Sequence, residues 1–365
     1  MTFMRIGFAC LWDRDAASTW SRTPWELRAA MRSRVDLNAD VVDAGVRVPL
    51  PMRRLLQAAH LTIRNGQLIS LWEQGSLTDR YCRAQLSKRK DLDVMLQMQD
   101  LAAVDVPFFL YQDMSFDALL KLRDAGADVF RVLTRDEMRR RRERQLGIYD
   151  KAAGVIAMSR WLADSLINDS GLPPGKVHVV HPGLVAGNNT PITRRPGPRR
   201  KLLFIGRTFA SKGGDLVLKA LAYLRKQVNP RITLTIAGPP AMPEVPDGVN
   251  FLGALPSREV AELYDTHDLF VLPTRIDGFG IVFAEALARG LPCIGRNNFA
   301  MPEIIQPPRY GSLVDGDDPK ELARLIAEAL ADDELYRRCE DDAEATRAYY
   351  SWDRAALETI RAVTL

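Results

Sequence analysis

The run PITRRPGPRRK, from Pro191 to Lys201, constrains the fold more than any other feature of the chain. Its three prolines, one glycine and five basic residues leave a hydrophobic core almost nothing to bury. Runs of this kind separate folded units. On both sides the same order appears: a short apolar run, a polar or glycine-bearing loop, then a helical pattern. Ahead of it, Met4 to Ala9 reads as a first buried strand, followed by the loop WDRDAASTWSRTP and a helix from Trp25 to about Arg34. Further strands are predicted at 92–98, 106–110 and 153–157. Behind it come KLLFIG at 201–206, ITLTIAG at 232–238, VNFLG at 249–253 and DLFVLP at 268–273, with helices reaching about Arg225 and starting near Ser257. Helices are also predicted over 322–330 and 333–349. In the closing YYSWDRAALETIRAVTL, Trp352, Ala355, Leu357, Ile360 and Val363 form one apolar side. This α/β order predicts two open parallel sheets with helices on both faces, and 365 residues exceed what one core usually holds.

Composition narrows the function classes. The four cysteines, at 10, 82, 293 and 339, show no CxxC spacing, and no N-terminal stretch joins a basic head to an apolar run and a small-residue cleavage site. A cytoplasmic protein is the expectation. No apolar run approaches the roughly 20 residues that cross a bilayer. The net charge of +4 is modest but clustered, at Arg139 to Arg142 and at Arg194, Arg195, Arg199, Arg200 and Lys201. The first cluster suits a solvated face or an anionic membrane surface, which would place the protein at the inner face of the membrane. No recognition motif accompanies the charge, so nucleic acid is not an expected partner. His60, His178, His181 and His267 form no cluster with convincing metal-ligand spacing, and no metal is expected.

Two loops of the second half carry the chemistry. In KLLFIGRTFASKGGD a strand ends at Gly206, Arg207 follows in the turn, and Lys212 precedes a helix whose buried stripe is Leu216, Val217, Ala220, Leu221 and Leu224. Two cations at the carboxyl end of a parallel strand suit a diphosphate. In TRIDGFGIVFAEALARG, Asp277 and Glu285 stand eight positions apart around Gly278, Phe279 and Gly280. The glycines let backbone approach a ligand, and a helix starting near Ile281 points N–H groups toward an anion. Glu285, about one turn into that helix, matches a vicinal hydroxyl pair such as that of a ribose. Asp277, on the other side of the turn, can accept from sugar hydroxyls or face developing positive charge.

These blocks resemble the retaining glycosyltransferases of the GT-B fold, specifically family 4, the glycosyl transferases group 1. LLFIGRTFASKGGDLVLKAL is similar to that family's diphosphate loop, GVNFLGALPSREVAELYDTHDLFVLPT to its base-side segment, and DGFGIVFAEALARGLPCIG to its acidic-pair motif. MPEII with YGSLVDGDDPKELARLI resembles the family's next segments after that motif. More faintly, KAAGVIAMSRWLADSL and KVHVVHPG resemble the end of the first domain, with Ser159 and Gly183 in recognisable places and Glu143 on the preceding helix; SWDRAALE resembles the segment crossing back. The resemblance runs from about 150 to the end. It implies two Rossmann-like α/β/α domains facing across a cleft, spanning 1–190 and 201–346, with a linker at 191–200 and a terminal segment 347–365 returning to the first. A hinge is expected near 184–200. It also implies that Arg207 and Lys212 hold the donor diphosphate, that Glu285 binds ribose, and that Gly278, Phe279, Gly280 and Ile281 contact the sugar and phosphate. No cofactor is implied beyond a nucleotide diphosphate sugar, UDP- or GDP-linked, as donor substrate.

The chain departs from the family in three places. Asp277 stands where most members have glutamate, one methylene shorter, about 1.5 Å. The loop after the first strand lacks the family's glycine pair, and Ser21, Arg22 and Thr23 are its candidate phosphate donors. Gln112, in FLYQDMSF, takes the place of a histidine that meets the transferred sugar; it can hydrogen-bond but not take up a proton. The catalytic group is therefore expected to be Asp277, Arg207, Lys212 and Gln112. The acceptor, a small molecule, a saccharide or a lipid-linked sugar, would meet residues within 11–120, where Trp12, Trp20, Trp25, Phe108, Phe109, Tyr111 and Phe116 either stack on it or pack the core. The expected activity is transfer of a hexosyl unit to an acceptor hydroxyl with retained configuration. The alternatives are a nucleotide-sugar epimerase on the same fold and a non-catalytic nucleotide-sugar-binding protein.

Overall fold

A computed structural model describes residues 4–64, 66–126, 132–184, 197–242 and 244–364. Most of the proline- and arginine-rich run, 191–196, and most of the expected hinge therefore lie outside the described residues. The chain divides into two compact units, with breaks after Gly183 and after Ser351, so that the helix Trp352–Thr364 belongs to the first unit.

The first unit is built on six parallel strands. From edge to edge they are Val177–Val179, Gly154–Ala157, Phe108–Gln112, Val94–Met98, Met4–Ala9 and Ala39–Asp43. Ile6, Phe8, Met95, Leu96 and Leu110 have no exposed surface, as a sheet covered on both faces requires. The terminal helix packs on the helix Thr23–Ser33, burying Ala355, Ala356, Thr359, Ile360, Ala362 and Val363. Arg354 ties it down by donating to the His181 carbonyl at 2.7 Å. Trp352 and Leu357 are only half-buried, so the covering face is centred one step round the helix from the apolar side expected.

The second unit holds another six-stranded parallel sheet, in the order Val249–Gly253, Thr233–Ala237, Lys201–Ile205, Leu269–Leu272, Cys293–Arg296 and Gly311–Val314. Its strand order runs outward in both directions from Lys201–Ile205, the doubly wound pattern. Ligands of such sheets bind beyond the carboxyl ends of the strands where that order reverses. Here the reversal falls between Lys201–Ile205 and Leu269–Leu272, which pair Leu202 with Leu269 and Leu203 with Phe270. All five residues of the predicted stripe on the helix Gly214–Gln227 are buried. Two Rossmann-like units with a last helix returned to the first make this the GT-B fold.

Candidate functional site

The strands at the reversal point launch two loops, 206–213 and 273–280, and the backbone forces them together. Gly213 has φ +79, the left-handed region that L side chains avoid, and it caps the helix Gly214–Gln227. A Cβ there would stand 2.4 Å from the Pro273 carbonyl oxygen, so the loops touch where only glycine fits. Gly280 repeats the device with φ +76 at the start of Ile281–Leu287, where a Cβ would meet the Met301 Cε at 2.5 Å.

Between these loops the Lys212 ammonium donates to Asp277 Oδ2 at 2.5 Å and to the Ile276 carbonyl at 3.0 Å. The structure thus joins two of the residues singled out in the sequence, but as partners of each other. Lys212 was expected to meet the donor diphosphate and Asp277 the sugar; here each neutralises the other. Arg207 is exposed and forms no ion pair with a described residue. Glu285 is half-buried, and one carboxylate oxygen accepts from the Tyr264 hydroxyl at 2.9 Å. Burial, reinforced by that carboxylate, pushes the Tyr264 phenol well above its usual range, so it stays protonated and donates. Phe279 is buried and meets the Tyr350 ring edge-on at 6.1 Å. Its side chain anchors the turn, leaving the contribution of Gly278 and Gly280 to their backbones. At the helix start the Phe283 N–H already donates to the Gly280 carbonyl, and Ile281 opens the first turn.

Arg275, passed over in the sequence, is the centre of the polar network. Its N–H donates to the Ser211 carbonyl at 2.8 Å, and its guanidinium reaches the Ala210 carbonyl, both oxygens of Asp215 at 2.6 and 3.0 Å, and Asp317 at 2.8 Å. Arg296 completes it, bonding Asp317 at 2.6 Å and the Pro273 carbonyl at 3.0 Å. Hydrogen bonds from Arg275 hold Asp215 below the ordinary aspartate range; Asp317 is raised by burial but lowered more by Arg296 and Arg275. One planar cation therefore bolts the loop bearing Arg207 and Lys212 to the loop bearing Asp277.

In the first unit the expected residues fare differently. Gln112 ends the strand Phe108–Gln112 with no exposed surface; its side-chain carbonyl accepts from the Tyr149 hydroxyl at 2.7 Å, and its Nε2 has no partner among the described residues. A side chain so enclosed touches no ligand in this conformation, and the expected sugar contact requires it to turn. Arg22 bonds Glu26 at 2.7 Å, and the Thr23 N–H donates to the Trp20 carbonyl, so two of the three candidate phosphate donors are engaged within the loop, while Ser21 is exposed. Trp20, Ser21 and Arg22 nevertheless take φ values of 42, 53 and 70. This stretch adopts a backbone suited to glycine without having one, at about 1–3 kcal/mol for each such residue. Of the aromatic residues, Trp12, Phe108, Phe109 and Tyr111 are buried, while Trp20, Trp25 and Phe116 keep exposed surface. Arg28 sits against both Trp12 and Trp25 and pairs with Asp43 at 2.7 Å, so those two rings hold an internal cation. Ser159 caps the helix Arg160–Asn168, and His267 bonds Thr235 and the Leu263 carbonyl; both are structural. Among the described residues no His, Cys, Asp and Glu group is placed to hold a metal ion.

Comparison with known proteins places this architecture. The family model described as Glycosyl transferases group 1 matches residues 187–346, and that of Family 4 Glycosyltransferase in conflict systems matches 108–248. The chain is a GT-B-fold protein related to the group 1 and family 4 glycosyltransferases. It is 30% identical over 239 residues to a D-inositol 3-phosphate glycosyltransferase of Streptomyces bingchenggensis (strain BCW-1), covering 58% of this chain and 52% of that one. The chain spans about half the length of the curated relatives it matches first. Sucrose-phosphate synthase from Thermosynechococcus elongatus superposes with a TM-score of 0.69 at 15% identity, covering 98% of each chain. Anabaena HepE, in complex with UDP and glucose, does so with 0.65 at 16% identity, covering 99% of each.

Proposed function

We propose that the protein transfers a hexosyl unit from a nucleoside diphosphate sugar to an acceptor hydroxyl, with retention of anomeric configuration. The observation that carries this reading is the pair of loops bolted together at the reversal point of the second sheet, with Arg207, Lys212 and Asp277 on them and Glu285 in the helix that follows the second. Arg207 offers its charge directly to the diphosphate. Lys212 reaches a phosphate oxygen by giving up Asp277, which frees that carboxylate for the transferred sugar. Glu285, oriented by Tyr264, accepts from ribose hydroxyls, and the Gly278–Ile281 backbone lies against phosphate and sugar.

In the reaction the bond from the anomeric carbon to the β-phosphate oxygen breaks as the acceptor oxygen bonds to the same face of that carbon. The acceptor proton passes to the departing phosphate oxygen. Negative charge grows on the diphosphate, and preplaced cations stabilise it with little reorganisation. UDP bound to HepE recommends UDP-sugars as first donors, and the inositol phosphate enzymes recommend phosphorylated polyols as first acceptors.

The test is a mass-resolved turnover screen of UDP-, GDP-, ADP- and TDP-sugars with polyol phosphates, saccharides and a lipid extract as acceptors. One donor consumed with a hexose added to an acceptor and its configuration kept supports the proposal. A donor isomer formed without acceptor establishes an epimerase, and donor binding without product defeats the enzymatic reading.

A further inference from the structure

The segment from Leu50 to Trp72 contains three arginines, no carboxylate, and five large apolar side chains that the fold leaves exposed. It forms the helix Leu50–Ala59 and a hairpin whose strands, Leu61–Arg64 and Gln67–Ser70, pair antiparallel. Alternation places Leu61 and Ile63 on one side of the hairpin, and Leu68 lies directly opposite Ile63 in register. These three are 51%, 68% and 66% exposed, whereas Thr62 and Ile69, paired on the other side, are half-buried. Leu50 and Leu55 are exposed on the helix. The elements are joined: Ser70 donates to the Gln57 carbonyl at 2.7 Å, and the Leu71 N–H to that of His60 at 3.1 Å.

Arginines outnumber the carboxylates around this apolar face, and Glu137 and Asp79, which line the concavity beside it, are paired to Arg64 and Arg141. Arg54 is exposed, and Arg53 lies over the Trp72 ring at 5.0 Å. Arg64 reaches from the hairpin to Glu137 at 2.7 Å, tying it to the helix Arg135–Lys151. On that helix Arg139 pairs with Asp136, Arg141 with Asp79 and Arg142 with Asp117. Arg140, exposed and without an ion pair to a described residue, lines the same concavity as Leu61 and Thr62.

We propose that this face docks the protein on an anionic lipid bilayer, Leu61, Ile63 and Leu68 entering the interface and Arg54 and Arg140 meeting lipid phosphates. Exposed apolar residues interleaved with arginine and free of carboxylate complement an anionic headgroup layer, which takes up both kinds of group at once. A lone apolar hairpin facing water is otherwise a site of unwanted pairing. The inference is independent of the sugar-transfer reading, and it moves the membrane contact from the arginine run at 139–142, which is mostly paired internally, to the hairpin beside it.

The full-length chain is sedimented with vesicles of phosphatidylcholine alone and with phosphatidylglycerol added. Wild type should bind the anionic vesicles, less so at high salt. Ile63→Ser with Leu68→Ser should weaken binding by about tenfold or more. Arg54→Ala and Arg140→Ala should each weaken it by about fivefold, and only for anionic vesicles. Tyr223→Ser, an exposed aromatic of the second unit, should change nothing. Unchanged melting temperatures show that the variants fold. No binding to anionic vesicles, or full binding by the Ile63/Leu68 variant, overturns the proposal. So does conversion of a dimer to a monomer by that variant, which would make the hairpin a contact between copies.

Discussion

Replacing Asp277 by asparagine separates the two roles that the Lys212 pair makes possible. The groups lie 2.5 Å apart, with side chains 22% and 16% exposed, so water screens them only in part. At that separation and an effective dielectric near 40 the attraction is about 3 kcal/mol, and the desolvation of both charges offsets much of it. Lys212 keeps the Ile276 carbonyl in the variant, so the fold should lose about 1–2 kcal/mol. Binding should move the other way. In the wild type a diphosphate must displace Asp277 from Lys212; in the variant the ammonium is available and one negative charge has gone. UDP affinity should therefore rise about five- to thirtyfold, or 1–2 kcal/mol. If Asp277 meets the sugar as proposed, sugar transfer should fall about a hundredfold. Calorimetric titration with UDP and single-turnover transfer measure the two effects separately. An affinity that drops along with turnover would refute the argument, since Asp277 would then be needed to present Lys212 and not to compete for it.

Gly213→Ala should destabilise the second unit by about 3 kcal/mol or more, since it adds a side chain at positive φ and 2.4 Å from a backbone oxygen; a melting temperature near wild type would show that the loops can part freely. Arg275→Gln should lower the melting temperature at pH 7, and the difference should shrink in acid. Asp215 and Asp317 have folded-state values below the ordinary 3.8, so their stabilisation is present above that pH and lost as pH falls through the lowered values. A difference independent of pH would mean that Arg275 acts through packing alone. All four cysteines are buried, Cys82 with its thiol pushed up to about 11 and Cys293 well above its usual range, both by burial. The native protein should resist alkylation until unfolded; rapid labelling at neutral pH would expose an opening of the core.

Most central strands were legible because each is a short apolar run stopped by glycine, proline or a polar residue; the edge strand Ala39–Asp43, with one buried residue of five, carries too little apolar signal and was not predicted. Met4–Ala9 and Val249–Gly253 have the limits read from sequence. The glycines at 213 and 280 marked the loops for the same reason, since backbone constraint writes itself in residue type. Partnership does not. Lys212 and Asp277 are 65 positions apart, and nothing local distinguishes two residues sharing a ligand from two residues sharing a bond. Arg275 looked like an ordinary loop arginine because Asp215 and Asp317 reach it only through the sheet. Gln112 was placed at the end of a strand by its neighbours, but its enclosure depends on Tyr149, from a helix later in the chain. The hairpin was passed over although Asn65-Gly66 between apolar runs is a strong turn signal. Its strands are four residues each, and their outward face is apolar, against the usual alternation.

The first unit is made of two pieces, with the whole of the second unit inserted between Gly183 and Trp352. During synthesis the second sheet can close from contiguous chain while the first still lacks the helix that covers Thr23–Ser33. The apolar stripe awaiting Ala355, Ile360 and Val363 stays uncovered until those residues leave the ribosome. Folding of the amino-terminal half thus waits on residues 352–364, and synthesis halted before them would leave a finished second unit beside an unfinished first.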